Sequence, residues 1–124
     1  MMTIKQPQTL KNRKDFLRLR QSAKWVTPHF ILQSGKNAQS DFDLIRFGYT
    51  ASKKVGNAVA RNRAKRRMRA LVRLYWPDLA KPGYDYVVIA RPALIDASFQ
   101  ILERDMEKAL KYVNKPRRKS QKPS

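Results

Sequence analysis

The sequence predicts a single-domain α+β protein in which helices and strands intermix around one sheet. Its 124 residues suit one domain, and a hydrophobic content of 42% is enough for one core. Apolar residues recur with helical spacing in some segments and alternate in others. The predicted order is helix, strand, strand, helix, strand, helix, with the first strand region divided at Pro28 as an alternative.

The first helix is predicted from Asn12 to about Arg20. Asn12 is a suitable N-cap, and Asp15 lies three residues further on, as in a capping box. Phe16 and Leu19 share one face of this helix, because residues three apart are neighbours on a helix surface. Phe16 therefore suits either the core or a contact surface.

Two strand regions follow this helix. Residues 24–34 have strand character that is interrupted at Thr27-Pro28, and residues 35–43 form a polar turn. Residues 44–52 then alternate, which predicts a strand with two distinct faces. One face carries Ile45, Phe47, Tyr49 and Ala51, and the other carries Leu44, Arg46, Gly48 and Thr50.

A long amphipathic helix is predicted from Ala58 to about Tyr75, with Asn57 as its N-cap. The end is placed there because Pro77 disfavours helical geometry at the residue before it. At 100° per residue the helix has an apolar stripe and an opposite cationic side. The stripe contains Ala60, Ala64, Met68, Leu71, Val72 and Tyr75; the cationic side contains Asn62, Arg63, Lys65, Arg66, Arg69 and Arg73, with Arg61 and Arg67 flanking the stripe.

The carboxyl-terminal part predicts one strand and one helix. Residues 81–83 form a turn, and residues 84–90 form a strand that is apolar on both faces, as expected at the centre of a sheet. A final helix spans about residues 98–113. Residues 114–124 are basic and lack hydrophobic residues, which predicts a disordered tail.

The charge distribution indicates a polyanionic partner. The net charge is +19, and residues 44–77 contain ten Lys or Arg and no Asp or Glu. Such a stretch cannot neutralise itself through intrahelical ion pairs. Membrane or calmodulin-like binding also uses basic amphipathic helices, but the Ala-rich stripe lacks the large apolar anchors of those helices. Nucleic acid is therefore the predicted partner.

The composition argues against an independent catalytic centre. The chain has no Cys and one His, so disulfides and His/Cys zinc sites are excluded. Asp41 and Asp43 form a tight acidic pair that falls in a polar turn, and His29 has no second histidine to work with. No catalytic residue and no protein-bound metal are expected. The opening stretch MMTIKQPQTL has no apolar run, so we expect a cytoplasmic location.

Residues 51–69, ASKKVGNAVARNRAKRRMR, closely resemble the signature of the bacterial ribonuclease P protein subunit. Lys14-Asp15-Phe16 resembles the first-helix pattern of that family, and residues 86–92 (YVVIARP) resemble its last strand. Ser98-Phe99, followed by Leu102 and Asp105, resembles its final helix. The resemblance covers roughly residues 10–113.

This resemblance implies a fold and a domain organisation. The fold would be an α/β sandwich with a mixed four-stranded sheet and a left-handed βαβ crossover, similar to a ribosomal protein domain. The handedness is contrary to the usual right-handed rule. One RNA-binding domain would span residues 1–113, with an ordered core of about 10–113, before the tail.

The resemblance also implies a function. The protein would be a component of a ribonucleoprotein endoribonuclease, whose catalytic RNA holds Mg²⁺ and removes the 5′ leader of precursor tRNA. Its partners would be ribonuclease P RNA and precursor tRNA, with no DNA and no membrane. The residues implied to bind the catalytic RNA are Arg61, Asn62, Arg63, Lys65, Arg66 and Arg69. Those implied to bind the leader are Phe16, Phe30, Lys53 and Lys54.

One departure and two alternatives accompany this interpretation. Some relatives have a second aromatic residue where this chain has Arg20, so the leader cleft would depend more on charge. A ribosomal or general RNA-binding protein would share the charge but would not enhance tRNA 5′ maturation. A sequence-specific DNA-binding protein would offer Asn, Gln and Arg to base edges, and residues 61–73 are too uniformly cationic for that.

Overall fold

The computed structural model describes residues 7–37 and 44–114, which form one five-stranded sheet with three helices. The strands are β1 (Gln8–Thr9), β2 (Ala23–Val26), β3 (Phe30–Lys36), β4 (Arg46–Thr50) and β5 (Tyr84–Ala90). The helices are α1 (Arg13–Leu19), α2 (Ala58–Leu79) and α3 (Phe99–Val113), and a 3₁₀ turn spans Pro92–Leu94. The predicted α+β class is confirmed.

The sheet has the order β1-β4-β5-β3-β2. β5 lies at its centre, parallel to β4 and antiparallel to β3, as its apolar residues predicted. The strand region around Pro28 is divided, because β2 and β3 form an antiparallel hairpin. Instead of four strands there are five: β1 pairs in parallel with β4. A two-residue strand has no alternation that a sequence pattern could reveal.

The helices lie on both faces of the sheet. α2 and α3 cover one face, where the main core contains Phe47, Met68, Tyr86 and Leu102. α1 covers part of the other face through a smaller cluster around Leu19 and Val87. β4 and β5 are adjacent parallel strands connected through α2, which is a βαβ unit. The left-handedness of this crossover stays a prediction.

α2 is longer than predicted, because it continues through Pro77 to Leu79. A proline in the last turn removes only one intrahelical hydrogen bond. Trp76 is only 6% exposed and belongs to the main core, which favours continuation of the helix. The Ala80 N–H donates to the Trp76 carbonyl at 3.0 Å. The prediction that the helix ends at Tyr75 was wrong because tertiary packing outweighs the local preference.

Asn114 is not part of a disordered tail. It caps α3, accepts a hydrogen bond from the Tyr86 hydroxyl at 2.7 Å, and donates to the Leu79 carbonyl. Burial raises the pKa of Tyr86 to about 12, although hydrogen bonds from Lys81 and with Asn114 oppose this rise. Residues 115–124 lie outside the described residues, as do residues 38–43 of the predicted polar turn; residues 35–36 extend β3 instead.

Candidate nucleic-acid interface

A tight turn leads from β4 into α2 and fixes where the helix begins. The Asn57 side chain accepts from the Ala60 N–H at 2.9 Å, which confirms the predicted N-cap. Gly56 has a φ of 146°, and a Cβ there would lie 2.8 Å from the Cβ of Ala60. Glycine is favoured at such a position. Lys53 and Lys54 lie in this turn with exposed side chains.

The outer side of α2 presents the six residues that the sequence predicted to bind RNA, here called the α2 cationic face. Four of these side chains are exposed, namely Asn62, Arg63, Arg66 and Arg69. The other two, Arg61 and Lys65, are half-buried. α2 carries seven Lys or Arg residues, and none forms an ion pair with any residue that the structure describes. The positive charge is therefore uncompensated and faces outward.

Two arginines of α2 have contacts within the fold. Arg67 donates to the Ala97 carbonyl and lies 5.9 Å from the centre of the Phe99 ring, so it connects α2 to the start of α3. Arg69 lies 5.5 Å from the centre of the Tyr49 ring. Burial raises the pKa of Tyr49 to about 12, opposed by the charges of Arg69 and Arg73. The contact to Tyr49 does not occupy the N–H donors of Arg69.

A second basic surface lies on the opposite face of the sheet, beside α1. Phe16 is half-buried there, in an open depression lined by Lys11, Arg13, Phe16, Leu17, Arg20 and Thr50. We call this the α1 depression. Thr50 ends β4 directly before the turn that carries Lys53 and Lys54. Lys11 and Arg13 were not predicted from the sequence, because their only signal is their position next to the first-helix pattern.

Two glycines allow α1 to approach the sheet closely. A Cβ added at Gly48 would lie 2.6 Å from Cζ and 2.8 Å from Cε1 of Phe16. A Cβ added at Gly35 would lie 2.7 Å from Cδ2 of Leu19. Real Cβ contacts are essentially never this short. The position of the Phe16 ring therefore depends on the absence of a side chain at residue 48.

A buried ionic network fixes α1 on the sheet. Asp85 is fully buried, and its carboxylate accepts from Arg18 at 2.6 Å and from Arg46 at 2.8 and 2.6 Å. The hydrogen bond to Asp85 is the main cause that raises the pKa of Arg46. Asp15 pairs with Arg18 at 3.1 Å instead of completing a capping box. The sequence did not reveal this network, because its members come from three separate elements.

Phe30 is not placed where the resemblance implied. Its side chain is fully buried in the main core, on the side of the sheet covered by α2 and α3. Strand alternation directs the next residue, Ile31, to the α1 side, where it is half-buried opposite Ile89. The structure thus corrects the assignment of Phe30 to the leader cleft, whereas Phe16, Lys53 and Lys54 remain accessible.

Other candidate chemistry is sparse in the part of the chain that the structure describes. His29 Nδ1 lies 2.8 Å from Oδ2 of Asp105, which links the β2–β3 turn to α3. No group of three or more His, Asp or Glu residues within residues 7–37 and 44–114 could hold a metal ion. Asp41 and Asp43 lie outside the described residues. None of the described helices is both long and apolar enough to cross a membrane.

The fold and these surfaces define a small, strongly basic α+β protein that presents cations on both sides of one sheet, without ion-pair partners on α2 among the described residues. The family model described as Ribonuclease P matches residues 4–114. The chain belongs to the ribonuclease P protein family. This membership makes it an RNA-binding component of a tRNA-processing ribonucleoprotein and part of an endoribonuclease complex.

Individual relatives agree with this assignment. The chain is 42% identical to the ribonuclease P protein component of Ruegeria pomeroyi over 109 residues, which are 87% of each chain. It is 45% identical to that of Paramagnetospirillum magneticum over 107 residues, covering 84% of this chain and 80% of the relative. The RNase P protein structure from Thermotoga maritima has a TM-score of 0.71 and 27% identity, covering 87% of this chain and 99% of that one.

Proposed function

We propose that this protein binds the catalytic RNA of ribonuclease P through the α2 cationic face and the 5′ leader of precursor tRNA through the α1 depression. The catalytic RNA would hold Mg²⁺ and cleave the phosphodiester bond, in the cytoplasm. The observation that carries the proposal is the α2 cationic face, where no described residue compensates the positive charge. Phosphate oxygens would supply the missing negative charge.

The chemistry of the α2 cationic face suits a folded RNA. Arginine offers planar, bidentate donors to phosphate, and Arg63 and Arg66 are exposed within one turn of each other. The apolar side of α2, with Ala64, Met68 and Leu71 fully buried, holds the helix rigidly on the sheet. A rigid row of cations would bind a defined backbone path and would reduce phosphate repulsion, which helps the RNA to retain Mg²⁺ at low concentrations.

The chemistry of the α1 depression suits a single strand. Single-stranded RNA offers unstacked bases that aromatic side chains can cover, and Phe16 is the aromatic residue of this surface. Lys11, Arg13 and Arg20 surround it. Arg20 stands where some relatives have a second aromatic residue, so binding here would combine one stacking contact with several phosphate contacts.

Reconstitution with a bacterial ribonuclease P RNA tests the proposal. Cleavage of precursor tRNA at low Mg²⁺ should be faster with the protein than with RNA alone. Equal rates would contradict the proposal. The affinity for the catalytic RNA should fall with salt with a log-log slope of about −0.7 to −0.9 for each phosphate neutralised.

A pair of matched variants locates the interface. The double variant Arg63→Ala/Arg66→Ala should make the salt slope shallower by about 1.4 to 1.8, since two phosphate contacts are lost. The control is Arg104→Ala/Lys108→Ala, which removes two exposed cations of α3 that form no ion pair with a described residue. The control should leave the slope unchanged. An equal effect of both variants would indicate that net charge, and not α2, determines binding.

A third variant tests the leader assignment. Phe16→Leu keeps an apolar side chain but removes the aromatic face. It should weaken binding of precursor tRNA to the holoenzyme and leave binding of mature tRNA, which has no leader, unchanged. An equal loss of affinity for both tRNAs would contradict the assignment of the leader to the α1 depression.

A further inference from the structure

A groove at the edge of the sheet adjoins the α2 cationic face and shares one residue, Arg69, with it. It is an open space of about 170 Å³ between β1, β4 and α2. A cavity of roughly 150 Å³ holds one benzene ring in another protein, so this space suits a single aromatic ring. Its walls include Thr9, Tyr49, Arg69, Val72, Arg73 and Trp76.

The groove combines an apolar interior with a cationic rim. Val72 and Trp76 line it and are only 3% and 6% exposed. Tyr49 is half-buried, and its hydroxyl has no hydrogen-bond partner among the described residues. Arg69 and Arg73 are exposed at the rim, and the described lining contains no acidic residue. The ligand that fits is a flat ring that carries negative charge at one end.

We propose that this groove holds one unstacked nucleotide of the catalytic RNA, with its base against Tyr49 and its phosphate at Arg69 and Arg73. Base–aromatic stacking combined with arginine donors is a recurrent way of binding unpaired nucleotides. The inference rests on the proposed function, because the RNA that binds the α2 cationic face would supply the nucleotide. Residues 1–6 precede the groove in the chain, but they contain Lys5 and no acidic residue, so they do not complement its rim.

The test compares Tyr49 variants in binding to full-length ribonuclease P RNA. Tyr49→Leu keeps an apolar side chain in the groove but removes the ring, and should weaken binding by roughly 5- to 150-fold. The salt slope should stay at the wild-type value, since no cation is removed. Tyr49→Phe should bind like the wild type. Tyr112→Leu removes a half-exposed aromatic residue from α3 and serves as the matched control, with no expected change.

A second measurement separates binding from folding. Wild-type protein is irradiated with ribonuclease P RNA that contains 4-thiouridine, and the cross-linked peptides are identified. We expect a cross-link on the peptide that contains Tyr49. Weaker binding of Tyr49→Leu without such a cross-link would show that the ring only supports the fold or covers residues 1–6, and would overturn the inference.

The remaining outcomes are also decisive. Wild-type affinity of Tyr49→Leu, together with a steep salt slope, would overturn the nucleotide site and leave the proposed function intact. Absence of salt-dependent RNA binding by the wild-type protein would overturn both.

Discussion

The substitution Gly48→Ala should disturb leader binding by displacing Phe16. The added Cβ would lie 2.6 Å from Cζ of Phe16, whereas ordinary contacts begin at 3.4 Å, so the ring must move by about 0.8 Å. A second contact, at 3.0 Å to Cβ of Leu10, involves an atom close to the backbone, which has little freedom to retreat. Overpacking of this kind costs about 1–3 kcal/mol of folding free energy.

Two assays measure the consequence. Denaturant unfolding should show the loss of stability, and binding to the holoenzyme should show a weaker preference for precursor over mature tRNA. The loss of preference should approach, and not exceed, that of Phe16→Ala. In the Phe16→Ala background, Gly48→Ala should change the preference little further, because the crowding ring atoms are gone.

Gly35→Ala provides a matched comparison. It also crowds α1, but its contacts are Cδ2 of Leu19 and Oγ of Ser22, both at 2.7 Å, at and beyond the last residue of the helix, and no Phe16 atom is among them. It should lower stability and leave the preference for precursor tRNA intact. Retention of both wild-type stability and wild-type preference by Gly48→Ala would contradict the displacement of Phe16, and so would an equal loss of preference in the two glycine variants.

Three further predictions concern stability and are checked by denaturant unfolding of the isolated protein. Asp85→Ala should cost about 3 kcal/mol, because Arg18 and the half-buried Arg46 would lose a fully buried carboxylate, although Arg46 would keep Asp15 at 3.7 Å; a loss below about 1 kcal/mol would contradict this. The pKa of Tyr86 is about 12 in the folded protein against about 10 when unfolded, so its stabilising contribution is complete below pH 10 and is lost between pH 10 and 12. Tyr86→Phe should abolish that part of the pH dependence, and an unchanged profile would contradict it. Asn57→Ala should cost about 1 kcal/mol through loss of the α2 cap, whereas Asn57→Gly should cost only a few tenths.

The elements with strong local signals could be predicted from the sequence. Asn57, the alternation around Phe47 and the apolar run of β5 identified the start of α2, the faces of β4 and the central strand. The end of α2 could not be predicted, because burial of Trp76 is a tertiary effect that outweighs the preference set by Pro77. β1 carries no pattern of its own, and only pairing with β4 makes it a strand.

In the candidate site, too, the features set by local periodicity could be predicted from the sequence, whereas those set by tertiary contacts could not. The α2 cationic face follows from helical periodicity, so its exposed residues could be identified by spacing alone. Phe30 was assigned to the leader cleft by resemblance, but strand alternation from the buried Leu32 already places it on the core side of β3. The network of Asp85 with Arg18 and Arg46 joins residues up to 67 positions apart, and no local pattern contains that information.

Strand β4 separates the two proposed RNA surfaces by alternation. Gly48 faces α1 and the Phe16 ring, whereas Tyr49 lies on the opposite side, against Arg69 of α2. Adjacent residues of one strand would thus serve different RNAs. Gly48→Ala should affect precursor tRNA and spare the catalytic RNA, while Tyr49→Leu should do the reverse. A sheet whose two faces bind independently would allow the leader contact to change without altering the binding of the catalytic RNA.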